Sequence, residues 1–263
     1  MTLVPILLYH GVTDDPSTGM ASFTVRPAAF RAHLDMMMEM GCTALTIPEL
    51  AECVGRPRPS LPHRPVAITF DDGWADTAAA GSELSLRGLK STLYVTTGML
   101  APPRPGPEPA SSMAPALAWS QLAELAVSGM EIGGHSHTHP QLDTLHPDAA
   151  AQEINGCKAM LEDELGRAVT TFAYPHGYSD RRVRSIVAAA GYRSACGVRN
   201  ALSSTGDDVF TLARLTVMAA TTHEQVASWL DGSGAPVARP REKLRTTLWR
   251  SYRRARGWRL PTL

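Results

Sequence analysis

The chain has 263 residues, 44% of them hydrophobic and 19% charged, enough to bury a substantial core and too apolar for a disordered chain. Lys plus Arg and Asp plus Glu both total 25, yet from Arg239 to Arg259 nine basic residues accompany one acid, Glu242, so an acidic body carries a basic tail. No run approaches the ~20 apolar residues of a bilayer span. The start, MTLVPILLYHGV, lacks a basic n-region and a cleavage site, and Cys42, Cys53, Cys157 and Cys196 show no paired spacing, which together predict a reduced, cytoplasmic protein.

Strand-like and helix-like stretches alternate. PILLYH (5–10) predicts a strand, and RPAAFRAHLDMMMEMGC (26–42) a helix stopped at Gly41. Val66–Phe70 predicts a buried strand, followed by a helix over 76–88, a strand over 91–95, a helix over 119–129 and a short strand over 130–135. A helix over 148–166 leads to a strand over 169–175 and a helix over 180–190. Two strands, YRSAC (192–196) and FTLARLTV (210–217), precede a last helix over 221–230. The segment APPRPGPEPASSMAPA (101–116) holds too many prolines for regular structure and reads as a lid or as a surface insertion. The alternation argues an α/β fold, a parallel sheet or barrel with helices outside, in which residues after the strands share one face.

Acids and histidines gather at those strand ends. His10 closes the first strand, and Asp71 and Asp72 follow Val66–Phe70. GGHSHTHP (133–140) brings His135, His137 and His139, and YPHG (174–177) brings His176. Adjacent carboxylates at the rim of a core repel each other and lose solvation, whereas a divalent cation among them turns repulsion into coordination. Zinc takes nitrogen and carboxylate ligands, commonly three from the protein in an open site. His135 and His139 stand four apart, so one helical turn would put both rings on one side. Either aspartate then supplies the third ligand and the other a general base. The alternative is a histidine-rich turn beside a solvated acidic pair. His33, His63, His146 and His223 read as structural or exposed. No phosphate loop, Ser-His-Asp signature or nucleic-acid module is evident, so no nucleic-acid partner is expected.

TFDDG (69–73) with HSHTH (135–139) resembles the first two motifs of the polysaccharide deacetylases, the NodB-homology group of carbohydrate esterases. FAYPHG (172–177) is similar to the third motif of the branch that carries Phe-Ala-Tyr-Pro. The resemblance covers residues 3–230. It implies a distorted (β/α) barrel of about seven repeats, a catalytic domain over 1–235, and metal-dependent hydrolysis of N-acetyl or O-acetyl groups. Position by position, it implies Asp71 as general base and Asp72, His135 and His139 as metal ligands. It further implies the backbone N–H of His176 as an oxyanion donor, and Tyr174 and Pro175 as the wall of an acetyl pocket. His137 falls at a variable position and is given no role.

Two departures from the family pattern matter. No Leu-x-x-His stands near the C-terminus, but LLYH (7–10) has that form, as in the circularly permuted biofilm-exopolysaccharide deacetylases. This implies His10 as the general acid; the alternative is a histidine capping its strand through a backbone hydrogen bond. The third motif also lacks the arginine that orients the catalytic aspartate in related enzymes. Arg214, flanked by apolar residues in TLARLTV, needs a carboxylate if buried, and Asp71 is the candidate; the alternative is an arginine reaching solvent. Trp74, directly after the DDG, is a candidate for stacking on a sugar ring or for core packing.

The function so implied is metal-dependent removal of acetyl from an amino sugar in a glycan or glycoconjugate. The alternatives are hydrolysis of another amide or ester, in a nucleotide sugar or a secondary-metabolite precursor, and an inactive glycan-binding protein. One divalent ion is expected, zinc by default of ligand type, with cobalt, nickel or manganese able to serve. The tail over 236–263 reads as a separate basic segment. Within 239–260, Leu244, Leu248 and Tyr252 stand four apart among arginines, which as a helix would suit an anionic membrane surface such as the inner membrane face. The other reading is a solvated tail, or one docked on the acidic body.

Overall fold

The apolar runs form one parallel sheet, and helices cover its outer face. The computed structural model describes residues 2–54, 56, 60–101, 115–238, 249, 252 and 253. The expectations for the proline-rich segment over 101–116 and for a helical tail over 239–260 therefore lie, but for these few positions, outside the described residues.

In chain order, β1 (Leu3–Val4), β2 (Ile6–Tyr9), β3 (Gly11–Val12) and β4 (Thr24–Val25) lead into α1 (Pro27–Glu39), β5 (Thr43–Leu45) and α2 (Ile47–Cys53). Strand and helix then alternate through β6 (Pro65–Phe70), α3 (Thr77–Leu86), β7 (Thr92–Val95), α4 (Trp119–Val127), β8 (Glu131–Gly134) and α5 (Pro147–Leu165). The chain continues with β9 (Thr171–Ala173), α6 (Arg181–Ala189), β10 (Ser194–Cys196), β11 (Ser203–Ser204), β12 (Leu215–Thr216) and α7 (His223–Leu230). No helix among the described residues is long and apolar enough to cross a membrane.

The main sheet runs β10–β9–β8–β7–β6–β2–β12 with every pair parallel, and β5 pairs with the start of β6. The stretch that ends in β12 touches both outer edges. Leu212 bridges to Cys196 of β10, and Leu215 then pairs with Leu7 of β2. That crossing closes the sheet into the distorted (β/α) barrel expected from the sequence. It also breaks up the strand expected over 210–217, because the segment leaves one edge to join the other and only Leu215–Thr216 form a ladder.

β6 shows how the sheet sorts its side chains. Val66, Ile68 and Phe70 belong to the layer between sheet and helices. Ala67 instead packs with Ile6, Tyr94, Ala173, Cys196 and Leu212, and with Ile47 and Leu50 of α2. This second cluster draws on five strands of the main sheet and is the barrel interior. The two-residue period of a strand then carries Thr69 and Asp71 inward as well.

The sequence reading assigns no element to 43–53, where β5 and α2 form. The signal was present. The Thr46 side chain accepts from the Glu49 N–H while the Glu49 carboxylate accepts from the Thr46 N–H, a reciprocal cap with a proline in the first turn.

Candidate active site

A parallel sheet opens all its strand C-termini on one face, and the motif residues meet there. His10 follows β2, Asp71 and Asp72 follow β6, His135 follows β8, and Tyr174, Pro175 and His176 follow β9. Arg214 sits in the closing segment between Leu212 and β12.

The Arg214 fork meets the Asp71 carboxylate end-on. Nη1 donates to Oδ1 at 2.6 Å and Nη2 to Oδ2 at 2.8 Å, and both residues are buried. Nε donates to the Gly197 carbonyl at 3.3 Å, and the guanidinium lies 5.3 Å from the centre of the Tyr94 ring. Burial by itself would raise the Asp71 pKa. The Arg214 charge, followed by that of His135, outweighs it and brings the value down to about 2. Asp71 is thus ionised across the neutral range.

Asp72 approaches the same His135 nitrogen as Asp71 does. Its Oδ1 is 3.6 Å from His135 Nε2 and 3.4 Å from His139 Nε2, and ligand atoms of the three residues all fall within 4.8 Å of one another. These groups fit a divalent cation on their own chemistry. Asp72 Oδ1 is buried with no hydrogen-bond partner among the described residues, a costly state for a carboxylate oxygen without a cation. His135 Nδ1 is 2.8 Å from the Ala173 carbonyl; donating to it leaves Nε2 with its lone pair toward Asp72. Burial pushes the His135 pKa down to about 3 and lowers that of His139, so both rings are neutral and able to ligate. Burial, reinforced by the charge of Asp71 and opposed by that of His10, moves Asp72 up to about 6.

His135 and His139 do not converge by a helical turn, as their four-residue spacing suggested. The segment is an irregular turn in which Ser136 and His139 take left-handed backbone (φ 66° and 61°), and Ser136 Oγ accepts from the His139 N–H at 3.0 Å. Asp72 (φ 75°) and His176 (φ 57°) share that conformation, so four of the six non-glycine residues with positive φ among the described ones stand at this site. Such strain persists only where the surroundings over-determine it. Gly177, also left-handed at φ 74°, shows why YPHG ends as it does: a Cβ there would lie 2.5 Å from the backbone nitrogen of Val198.

Of the two readings of Trp74, its burial favours core packing over sugar stacking, and its indole N–H donates to Asp72 Oδ2 at 3.0 Å. Tyr174 is buried too, its hydroxyl donating to the Phe210 carbonyl at 3.0 Å, and Pro175 is buried beside it. The exposed His176 ring lies 4.5 Å from that of His139. His10 comes near enough to both aspartates for its charge to act on each, and its Nδ1 is buried without a partner among the described residues.

Two supports escaped the sequence reading. Glu153 of α5 accepts from the His137 and Thr138 backbone N–H groups at 2.9 and 2.8 Å and fixes the turn between the two histidines. His137, given no role, has one: its Nδ1 is 2.9 Å from Thr97 Oγ1, and its carbonyl accepts from the Gly98 N–H. A glutamate one helix later carries no local signal of such a contact.

Residues 58–195, just over half the chain, match the family model described as Polysaccharide deacetylase. That span holds Asp71, Asp72, His135, His139 and Tyr174–His176, and leaves His10 and Arg214 outside. YxkH of Bacillus subtilis, whose name places it among the polysaccharide deacetylases, is 24% identical over 216 residues, 81% of this chain and 71% of that one. The chain superposes on the Streptococcus pyogenes deacetylase PplD in complex with acetate with a TM-score of 0.74 at 24% identity, covering 86% of this chain and 97% of PplD. IcaB from Ammonifex degensii superposes with a TM-score of 0.70 at 20% identity, covering 89% and 97%. At these identities the structural likenesses speak to the fold.

Proposed function

The chain belongs to the polysaccharide deacetylase family, and from that premise we propose that it removes acetyl from an N-acetyl amino sugar in a glycan or glycoconjugate. One observation carries the reading. An Asp72, His135 and His139 ligand set stands beside a second, ionised carboxylate, with Asp71 Oδ2 3.6 Å from His135 Nε2.

Asp72, His135 and His139 would hold one divalent ion, and zinc suits the two imidazoles and one carboxylate best. When bound, the ion supplies a Lewis acid for the acetyl carbonyl and lowers the pKa of water. Asp71 accepts a proton from the attacking water. The Arg214 guanidinium holds that carboxylate low enough to be ionised, and so able to accept a proton, in the neutral range. The His176 N–H donates to the developing oxyanion, in the turn that Gly177 permits. His10 protonates the departing nitrogen, and acetate and a free amine result. The amide is favoured over an ester because an amine leaves poorly without a proton, and His10, whose Nδ1 has no hydrogen-bond partner among the described residues, is the group placed to supply one.

The test is product analysis on chito-oligosaccharides, nucleotide-linked N-acetylglucosamine and a lipid-linked analogue. A free amino sugar and acetate from any of them supports the reading. Acetate from O-acetylated glycans alone would move it to an esterase, and none from any acetylated glycan would end it.

A further inference from the structure

Arg253 touches the two loops that carry His139 and His176. Arg253 Nη1 donates to Gln141 Oε1 at 2.5 Å and Nη2 to Asp143 Oδ2 at 2.8 Å. Its guanidinium also lies 4.1 Å from the centre of the Tyr178 ring, a stacking distance. Gln141 and Asp143 stand two and four residues after His139, and Tyr178 stands two after His176. Asp143 has no exposed surface, and Arg253 is one of the groups that meet this carboxylate away from water.

The loops depend on each other. They leave different strands, β8 and β9, and meet through the His139 and His176 rings. His139 is held in left-handed backbone, and the Tyr178 ring continues the row 6.3 Å beyond His176. Arg182 of α6 secures the 143–145 turn from another side through the Asp143 and Leu145 carbonyls. Arg253 alone of the two arginines also stacks on the residue that follows the YPHG turn.

We infer that Arg253 is a positioning residue: it clamps the His139 loop to the His176 loop and so pre-forms the ligand set. The inference rests on reading Asp72, His135 and His139 as metal ligands. Outer contacts that orient ligands are worth about 10-fold to 100-fold in metal affinity or activity, and a clamp one step further out belongs at the low end.

The experiment is calorimetric titration of zinc into metal-free, full-length protein for wild type, Arg253→Ala, Arg253→Lys and the double variant Arg253→Ala/Asp143→Asn, with the Tm of each. Arg253→Ala is expected to bind zinc about tenfold more weakly. Arg253→Lys should recover part of that, since it keeps the charge and loses the fork and the stacking. In the double variant, which removes the Asp143 charge as well, any Tm regained over Arg253→Ala should come without affinity. Unchanged affinity in Arg253→Ala, or affinity that returns together with Tm in the double variant, would overturn the clamp. Acetate release separates this from the functional reading. Arg253-dependent zinc binding without acetate release keeps the clamp and ends the deacetylase, while release and affinity both indifferent to Arg253 do the reverse.

Discussion

Both carboxylate oxygens of Asp71 are held by one guanidinium, that of Arg214, and the pair sits inside the barrel 143 residues apart in the chain. Removing one partner strands a buried charge, so Arg214→Ala is expected to lose about 3–5 kcal/mol of stability along with turnover. Replacing both, as in Arg214→Met/Asp71→Leu, should recover much of that stability and none of the activity. Urea unfolding of the three proteins checks it; a single variant as stable as wild type would contradict it.

Trp74 acts on Asp72 through a single indole N–H. Trp74→Phe keeps the buried ring and deletes the donor, so zinc affinity should fall about tenfold with little loss of Tm. Unchanged affinity would return Trp74 to plain core packing.

His10 matters in proportion to how badly the leaving group needs a proton. His10→Gln should lower amide hydrolysis by about 100-fold or more, the usual worth of a general acid. An activated aryl acetate, whose phenolate leaves unaided, should be nearly indifferent. Equal losses on the two substrates would remove His10 from the acid role.

Away from the site, His33 gives the fold a pH dependence. It is buried with Nδ1 3.1 Å from the Tyr9 hydroxyl, and burial, followed by the charge of His223, lowers its pKa to about 4. An unfolded histidine titrates near 6.5, so between about pH 6.5 and 4 the unfolded chain binds a proton that the folded one refuses. The stability concerned is complete above that window and lost as pH falls through it. His33→Gln retains a partner for Tyr9 and should flatten Tm against pH over this range at matched metal loading. Parallel profiles would contradict the assignment.

The site was legible where chemistry is local. Asp71 and Asp72 announce themselves because two acids ending an apolar run need a reason, and Arg214 because a guanidinium among Leu, Ala, Leu and Val needs a carboxylate. The parallel α/β layout was legible in the alternation of apolar runs with helical spacing, and the choice of a distorted barrel rested on the resemblance of the TFDDG and HSHTH motifs. What escaped depends on direction or distance. Sequence cannot say that the Trp74 indole points at Asp72 rather than outward, because either rotamer suits an aromatic at that position. Nor does it show that Glu153 or Arg253 folds back on the histidine turn, since each is an ordinary charged residue whose partner lies far along the chain. The strand over 210–217 was overextended because its apolar pattern does not reveal that it serves two sheet edges.

The central claim is that Asp72 helps to hold the ion while Asp71 serves the water. Acetate release from an N-acetylglucosamine oligosaccharide by zinc-loaded protein, measured beside Asp71→Asn and Asp72→Asn with zinc binding followed in parallel, tests it most directly. The account predicts that Asp71→Asn still binds zinc and releases no acetate, and that Asp72→Asn loses both. Undiminished release by Asp71→Asn, or unaltered zinc binding by Asp72→Asn, would contradict it.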